Sequence, residues 1–301
     1  MTTPTYIHGE ELSMQSYRAL IGWVNNQEGI QLLLGRNPMP IDDIAQLQQT
    51  ITDCRVAVTS RPAFTPTNPI VDVGDDPLLK AVKERPEVNA AFASVTWFPA
   101  MINLREVLAF QKMINTEGLE ARLAAARTSK EALFELCLPT NQPLPPSGAI
   151  VDQDGKGLTL SALNPNLRVI GNQVSDAQIP TAPNSPLLRV QALTFFVMMG
   201  SSYLVIVRYR DRYFVRDGYH RAVGLLHEGI DVVPCILLDA QNFEQDVVLG
   251  QPQAFLPYEV LYGERPPRLV DFWDDEVSQT IQRPATRKVI RIRADEFVVQ
   301  G

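Results

Sequence analysis

The stretch from Tyr203 to Leu238 constrains the fold of this chain most, because the apolar period changes there from that of a strand to that of a helix and back. Tyr203-Leu204-Val205-Ile206-Val207-Arg208-Tyr209-Arg210 and Arg212-Tyr213-Phe214-Val215-Arg216 are β-branched and aromatic runs that predict two paired strands, with a turn around Asp211. Asp217-Gly218-Tyr219-His220-Arg221 then opens a helix over Ala222-Val223-Gly224-Leu225-Leu226-His227-Glu228. Gly229 stops that helix, and Val232 to Leu238 predicts a buried strand. The unit is therefore strand–hairpin–strand–turn–helix–strand.

The turn inside it has the composition of an anion site. Glycine at 218 lets the backbone bend sharply and approach a ligand. The first-turn N–H groups of the helix would point outward with the helix dipole behind them. Arg221 is placed for a bidentate contact to a phosphate oxygen, and His220 for a hydrogen bond or a proton shuttle near neutral pH. From Val205 to Arg221 five arginines (208, 210, 212, 216, 221) face two aspartates (211, 217), a local excess of +3 in a protein of net charge −7. A basic island in an acidic chain suits a small anionic ligand better than a DNA duplex. The plainer alternatives are that Asp217 only caps the helix and that the hairpin arginines form a solvated face.

The rest of the chain bounds the function classes. It has 301 residues, of which 45% are hydrophobic and 20% charged, an ordinary globular composition. No apolar run is long enough to span a bilayer, and the N-terminus lacks the pattern of a secretory signal, so the expectation is a cytoplasmic protein that does not enter a membrane. Cys54, Cys137 and Cys235 are scattered, and only His8, His220 and His227 are present, so no zinc site or disulfide framework is expected. Cys235 lies in an apolar run and is expected to be buried.

The N-terminal half reads mainly as helix. Tyr17, Leu20, Ile21 and Val24 have helical spacing, and a second helix opens at Pro40-Ile41-Asp42-Asp43. Residues 59–77 hold four prolines and read as a loop or linker. Helical patterns return at 78–82, from Asn103 through Met113, and from Glu120 to Leu136. The proline-rich run Pro139–Gly148 predicts a domain boundary. Asp152–Gly157 reads as a turn rather than a calcium loop. Asn166 to Val174 reads as a strand, Leu187 to Met199 as a buried helix ending at Gly200, and Lys288–Arg293 as a strand. The aromatic residues Trp97, Phe98 and Phe110 read as an aromatic helical core, with the lining of a pocket as the alternative. The acidic run Asp271–Glu276 reads as a solvated helix start, with Mg²⁺ coordination beside a nucleotide as the alternative.

Tyr213–Ala222, followed by Gly229 and Val232-Val233-Pro234, resembles the central motif of the ParB/sulfiredoxin-like superfamily. That motif has a strand, a glycine turn with a His-Arg or Arg-Arg pair, a helix, a glycine, and a strand entered through a Val-Pro or Ile-Pro step. The similarity covers about 40 residues well, about 75 if 166–200 supplies the preceding elements, and leaves the first 150 untouched. The resemblance implies an α+β fold, with a helical N-terminal region (1–145) followed by a mixed α/β domain (150–301) that ends in a strand. It also implies a nucleotide, ATP or CTP with Mg²⁺, at the turn. The candidate set is Asp217 and His220 for catalysis, and Gly218, Tyr219, His220, Arg221, Arg216 and Arg208 for ligand binding. Tyr219 stands where sulfiredoxin has its reactive cysteine, which argues against sulfinate repair. Gly-Tyr-His-Arg replaces the Gly-Glu-Arg-Arg of partition clamps, which argues against that role. The functions expected are a nucleotide-binding protein, as a phosphotransferase or NTPase, a non-catalytic ligand- or protein-binding module, or a nuclease.

Overall fold

In the computed structural model, residues 13–34, 41–117, 123–140, 150–153, 157–162, 167–180, 186–199, 203–243, 255–285 and 288–293 are described. The chain is mixed α+β and divides into two units. One comprises 1–140 with 202–284, and the other 141–201 with 285–301. The expected division into 1–145 and 150–301 is corrected, because the C-terminal hairpin–helix–strand unit shares its sheet with N-terminal strands.

In the first unit, β1 (Met14–Ala19) is followed by α1 (Asn26–Leu34) and the long α2 (Ile41–Ser60). Then come β2 (Ile70–Val71), α3 (Pro77–Glu84), α4 (Pro86–Ala91), β3 (Trp97–Asn103), β4 (Met113–Asn115) and α5 (Lys130–Cys137). Two of these helices start where their sequence provides a cap. The carboxylate of Asp76 accepts the Leu78 N–H at 2.9 Å ahead of α3, and the Ser129 hydroxyl accepts the Ala132 N–H at 3.0 Å ahead of α5.

The second unit holds β5 (Ile150–Gln153), β6 (Gly157–Ala162), β7 (Leu167–Pro180) and β8 (Leu187–Met199). The first unit resumes with β9 (Val205–Tyr209), β10 (Arg212–Asp217), α6 (Tyr219–His227), β11 (Val232–Asp239), α7 (Tyr258–Leu261) and β12 (Gln279–Pro284). Strand β13 (Lys288–Arg293) returns to the second unit and pairs with β6.

The central sheet of the first unit runs β10-β9-β11-β3-β2. Tyr209 and Arg212 pair across the tight β9–β10 hairpin, with Arg210 at φ 56°. Strand β11 lies parallel to β9 and antiparallel to β3, so α6 is the crossover between parallel strands. Positions 233–238 of β11 are all buried, as expected for a strand covered on both faces. The core packs Phe110, Phe214, Phe272, Leu104 and Leu108 against α6 residues Val223 and Leu225. A second sheet, β12-β1-β4, borders a smaller cluster of Ile21, Ile51, Cys54 and Ile281.

Several expectations are corrected. Residues 14–19 form a strand, and only Ile21–Trp23 coil, as a 3-10 helix. Of 103–113 only Leu104–Glu106 are helical. Ala124–Arg127 is a 3-10 turn separated from α5 by the Ser129 cap. Leu187–Met199 is a strand of a long ribbon paired with β7, and Leu188, Leu193 and Phe196 on it are exposed. His8, the run 141–149, residues 154–156 and Gly200 lie outside the described residues.

Candidate functional site

The turn from β10 to α6 is built around Gly218, which sits at φ 88°, ψ 20° as the residue before the helix. A side chain is excluded there on two grounds. The left-handed conformation disfavours L residues, and a Cβ would lie 2.8 Å from Leu204 Cδ1 and 3.2 Å from Leu204 Cα. The helix begins without a side-chain cap and without an acidic residue in its first turn. The Asp217 carboxylate instead accepts the N–H of Gly218 at 2.7 Å. Asp217 therefore helps to shape the turn through the backbone of Gly218, beside the positive end of the α6 dipole.

Around this backbone the predicted residues separate. Arg216, Asp217 and His220 are half-buried at the turn, and none is without a partner. Tyr219 points into the core. It is 3% exposed, its hydroxyl accepts the Phe110 N–H at 2.7 Å, and its ring meets Phe110 edge-on at 5.3 Å. Burial pushes its phenol above the ordinary value. Its expected place among the ligand-binding residues is corrected to that of a core anchor.

Arg221 Nη1 donates to the Leu136 carbonyl at 2.8 Å, at the end of α5. Burial pulls its guanidinium below the ordinary arginine value, opposed by Cys137 and by Asp217. The same burial pushes the Cys137 thiol up to about 12. Arg221 is thus partly engaged as a cap on the last turn of α5, where carbonyls lack helical partners. Arg208, placed in the ligand set by sequence, forms a bidentate pair with Asp239 on β11 at 2.6 and 2.9 Å. That pair raises the Arg208 value, and its side chain braces two neighbouring strands.

The rest of the basic island is also largely committed. Arg210 Nη1 donates to the Tyr258 hydroxyl at 2.9 Å. Arg212 lies between the rings of Phe64 and Tyr262, 5.0 and 4.9 Å from their centroids, and donates to the carbonyls of Leu261 and Gly263. The local excess of positive charge in the sequence is therefore spent mainly on the protein itself.

The acidic run begins within the 3-10 helix Leu269–Trp273, whose Trp273 meets α6 at Val223 and His227. Trp273 Nε1 donates to the Val223 carbonyl at 2.9 Å, and the His227 ring stacks on Trp273 at 4.0 Å. Asp271 is buried and pairs with Arg61 at 2.9 Å; Arg61 also holds Asp274, and Arg18 pairs with Asp275 at 2.8 Å. Burial raises the Asp271 carboxyl, against the Arg268 N–H and the Arg61 charge that lower it. The reading of a solvated helix start holds for the exposed Asp275 and Glu276; it is corrected for Asp271, which is buried in the first turn of the 3-10 helix and accepts the Arg268 N–H at 2.7 Å, and for Asp274, which Arg61 holds. Among the described residues, no group of three or more His, Cys, Asp or Glu is arranged to hold a metal ion. No helix among them is long and apolar enough to cross a membrane.

Sequence reasoning gave no role to Arg18 or Arg61, whose partners are distant in the chain, or to Arg268. The signal available for Arg61 was its place at the start of the proline-rich 59–77 loop, beside a helix end. Comparisons of the chain with protein-family models, with curated proteins and with solved structures give no match.

Proposed function

We propose that this protein binds a small phosphate-bearing ligand, a nucleotide such as ATP or CTP with Mg²⁺, at the Gly218 turn, as a non-catalytic module of the ParB/sulfiredoxin-like kind. The observation that carries this reading is a nine-residue helix entered through a left-handed glycine, so that its N-cap residue brings no side chain of its own between the first-turn N–H groups and a ligand. The helix N–H groups are the natural donors to phosphate oxygens, with Arg216 and His220 beside them. Arg221 contributes its charge from the α5 side. The resemblance is supported further by the order hairpin, glycine, helix, glycine, strand, with β11 parallel to β9. It covers only this part of the chain.

Binding is favoured over phosphotransfer by where the carboxylates are. Asp271, Asp274 and Asp275 are paired with Arg61 and Arg18. Asp217 is the carboxylate at the turn, so Mg²⁺ would arrive held mainly by the phosphates and by water. The net charge of −7 and the committed hairpin arginines weigh against a nuclease that grips a duplex.

Thermal shift with ATP, CTP, GTP and UTP in the presence of Mg²⁺ tests the reading. Ligand at a hundred times its dissociation constant stabilises a protein by about 2.7 kcal/mol, so a clear rise in melting temperature is expected for at least one nucleotide. No rise with any of them at millimolar concentration removes the binding site. Phosphate release above background removes the non-catalytic part.

A further inference from the structure

A cleft of about 680 Å³ opens in the first unit between the segments 61–65 and 264–274. Its walls are fastened to each other. The Phe64 N–H donates to the Glu264 carbonyl at 2.7 Å, and Arg265 Nε to the Arg61 carbonyl at 2.6 Å. Trp23 Nε1 donates to the Arg265 carbonyl at 2.6 Å, and Arg61 bridges to Asp271 at 2.9 Å. The cavity is therefore preformed, with a volume in the range of small-molecule sites.

Its charges are unevenly satisfied. Arg61 is occupied by Asp271 and Asp274, and Arg265 by the Arg61 carbonyl and by Glu264 at 2.9 Å. Glu106 accepts the Thr67 hydroxyl at 2.9 Å. Arg268, half-buried in the cleft wall, makes no side-chain hydrogen bond or ion pair among the described residues, and only its charge reaches Asp271. A guanidinium in the wall of a preformed cleft, half-buried and with its donors unspent on the protein, is arranged for an incoming acceptor. The remaining surface is largely apolar, with Phe64, Pro266, Val270 and the two tryptophans Trp23 and Trp273.

We infer that this cleft binds a small ligand with one negative charge on a planar apolar body, an aryl carboxylate, whose carboxylate pairs with Arg268 while its ring lies against the aromatic wall. A single charge is specified because Glu106 and Asp274 share the lining with one uncommitted guanidinium. A phosphate dianion would meet more repulsion than attraction there. The site is thus separate in position and in chemistry from the Gly218 turn, and the inference stands whether or not a nucleotide binds there.

Fluorine NMR with 4-fluorophenylacetate as probe, and its neutral amide as control, tests this on the intact chain. The acid is expected to broaden and shift on adding protein, with the amide bound about tenfold more weakly or worse. Arg268→Gln is expected to weaken the acid by about ten- to a hundredfold and leave the amide unchanged. Glu106→Gln, which removes a repelling charge, is expected to tighten the acid and so gives a readout even if the arginine variant fails to fold. No binding of the acid at millimolar concentration overturns the inference. So does equal binding of acid and amide, wild-type affinity in folded Arg268→Gln, or no tightening in Glu106→Gln.

Discussion

Arg221→Ala separates a structural arginine from a ligand-binding one. In the structure its Nη1 donates to the Leu136 carbonyl at 2.8 Å, at a helix end whose last carbonyls have no helical partner. A hydrogen bond from a charged donor contributes about 1.5–3 kcal/mol. Burying the cation works against this, as the lowered value of its guanidinium records. The expected loss on Arg221→Ala is therefore about 1–3 kcal/mol. Arg221→Met should lose less, because it restores apolar volume without the donor. Urea unfolding followed by tryptophan fluorescence reads the correct unit, since Trp23, Trp97 and Trp273 all belong to it. A change in stability below about 0.5 kcal/mol, together with a tenfold or greater loss of nucleotide affinity, would refute the capping role. Arg221 would then be a ligand residue outright.

Three further outcomes follow from the same geometry. Gly218→Ala should lose about 2–4 kcal/mol in the same titration, from the left-handed backbone and the contact with Leu204; a neutral result would mean the turn relaxes freely. Tyr219→Phe removes the acceptor of the buried Phe110 N–H and should cost about 1–3 kcal/mol without altering nucleotide affinity. A selective effect on affinity would return Tyr219 to the ligand set. Asp76 takes the Lys130 ammonium at 2.6 Å, and that hydrogen bond holds its carboxyl below the ordinary value of 3.8. A depressed carboxyl stabilises the fold above its unfolded-state value and loses that contribution as pH falls through the folded one. The gap in urea midpoint between wild type and Asp76→Asn should therefore be full near neutral pH and close below the ordinary value. A gap independent of pH would show that the charge of Asp76 contributes nothing.

The hairpin, α6 and β11 were legible in sequence because each is specified locally. Alternating β-branched residues, a glycine that only the left-handed region explains, and a glycine stop leave few alternatives. What was not legible depends on contacts far apart in the chain. The pairing of Val232–Leu238 with Trp97–Asn103 joins the two halves into one sheet and moves the boundary, yet nothing in either segment names the other. Leu187–Met199 is mostly apolar, interrupted at Arg189, Gln191 and Thr194, and the apolar stretches between and after them do not separate a helix from a strand by periodicity alone. The site suffers the same limit. The arginine-rich hairpin advertised free charge, but Arg208 finds Asp239, Arg212 finds the 261–263 carbonyls, and Arg221 finds Leu136. Composition shows which charges are present, not which are already paired.

The measurement that bears most directly on the binding site is a backbone-amide titration by TROSY NMR with ATP and with CTP, each with Mg²⁺. Phosphate seated on the N-terminus of α6 should move the amides of Gly218, Tyr219, His220 and Arg221 first and furthest, saturating at one nucleotide per chain. Those amides unmoved at millimolar nucleotide, or saturable shifts confined to another part of the chain, would contradict the account.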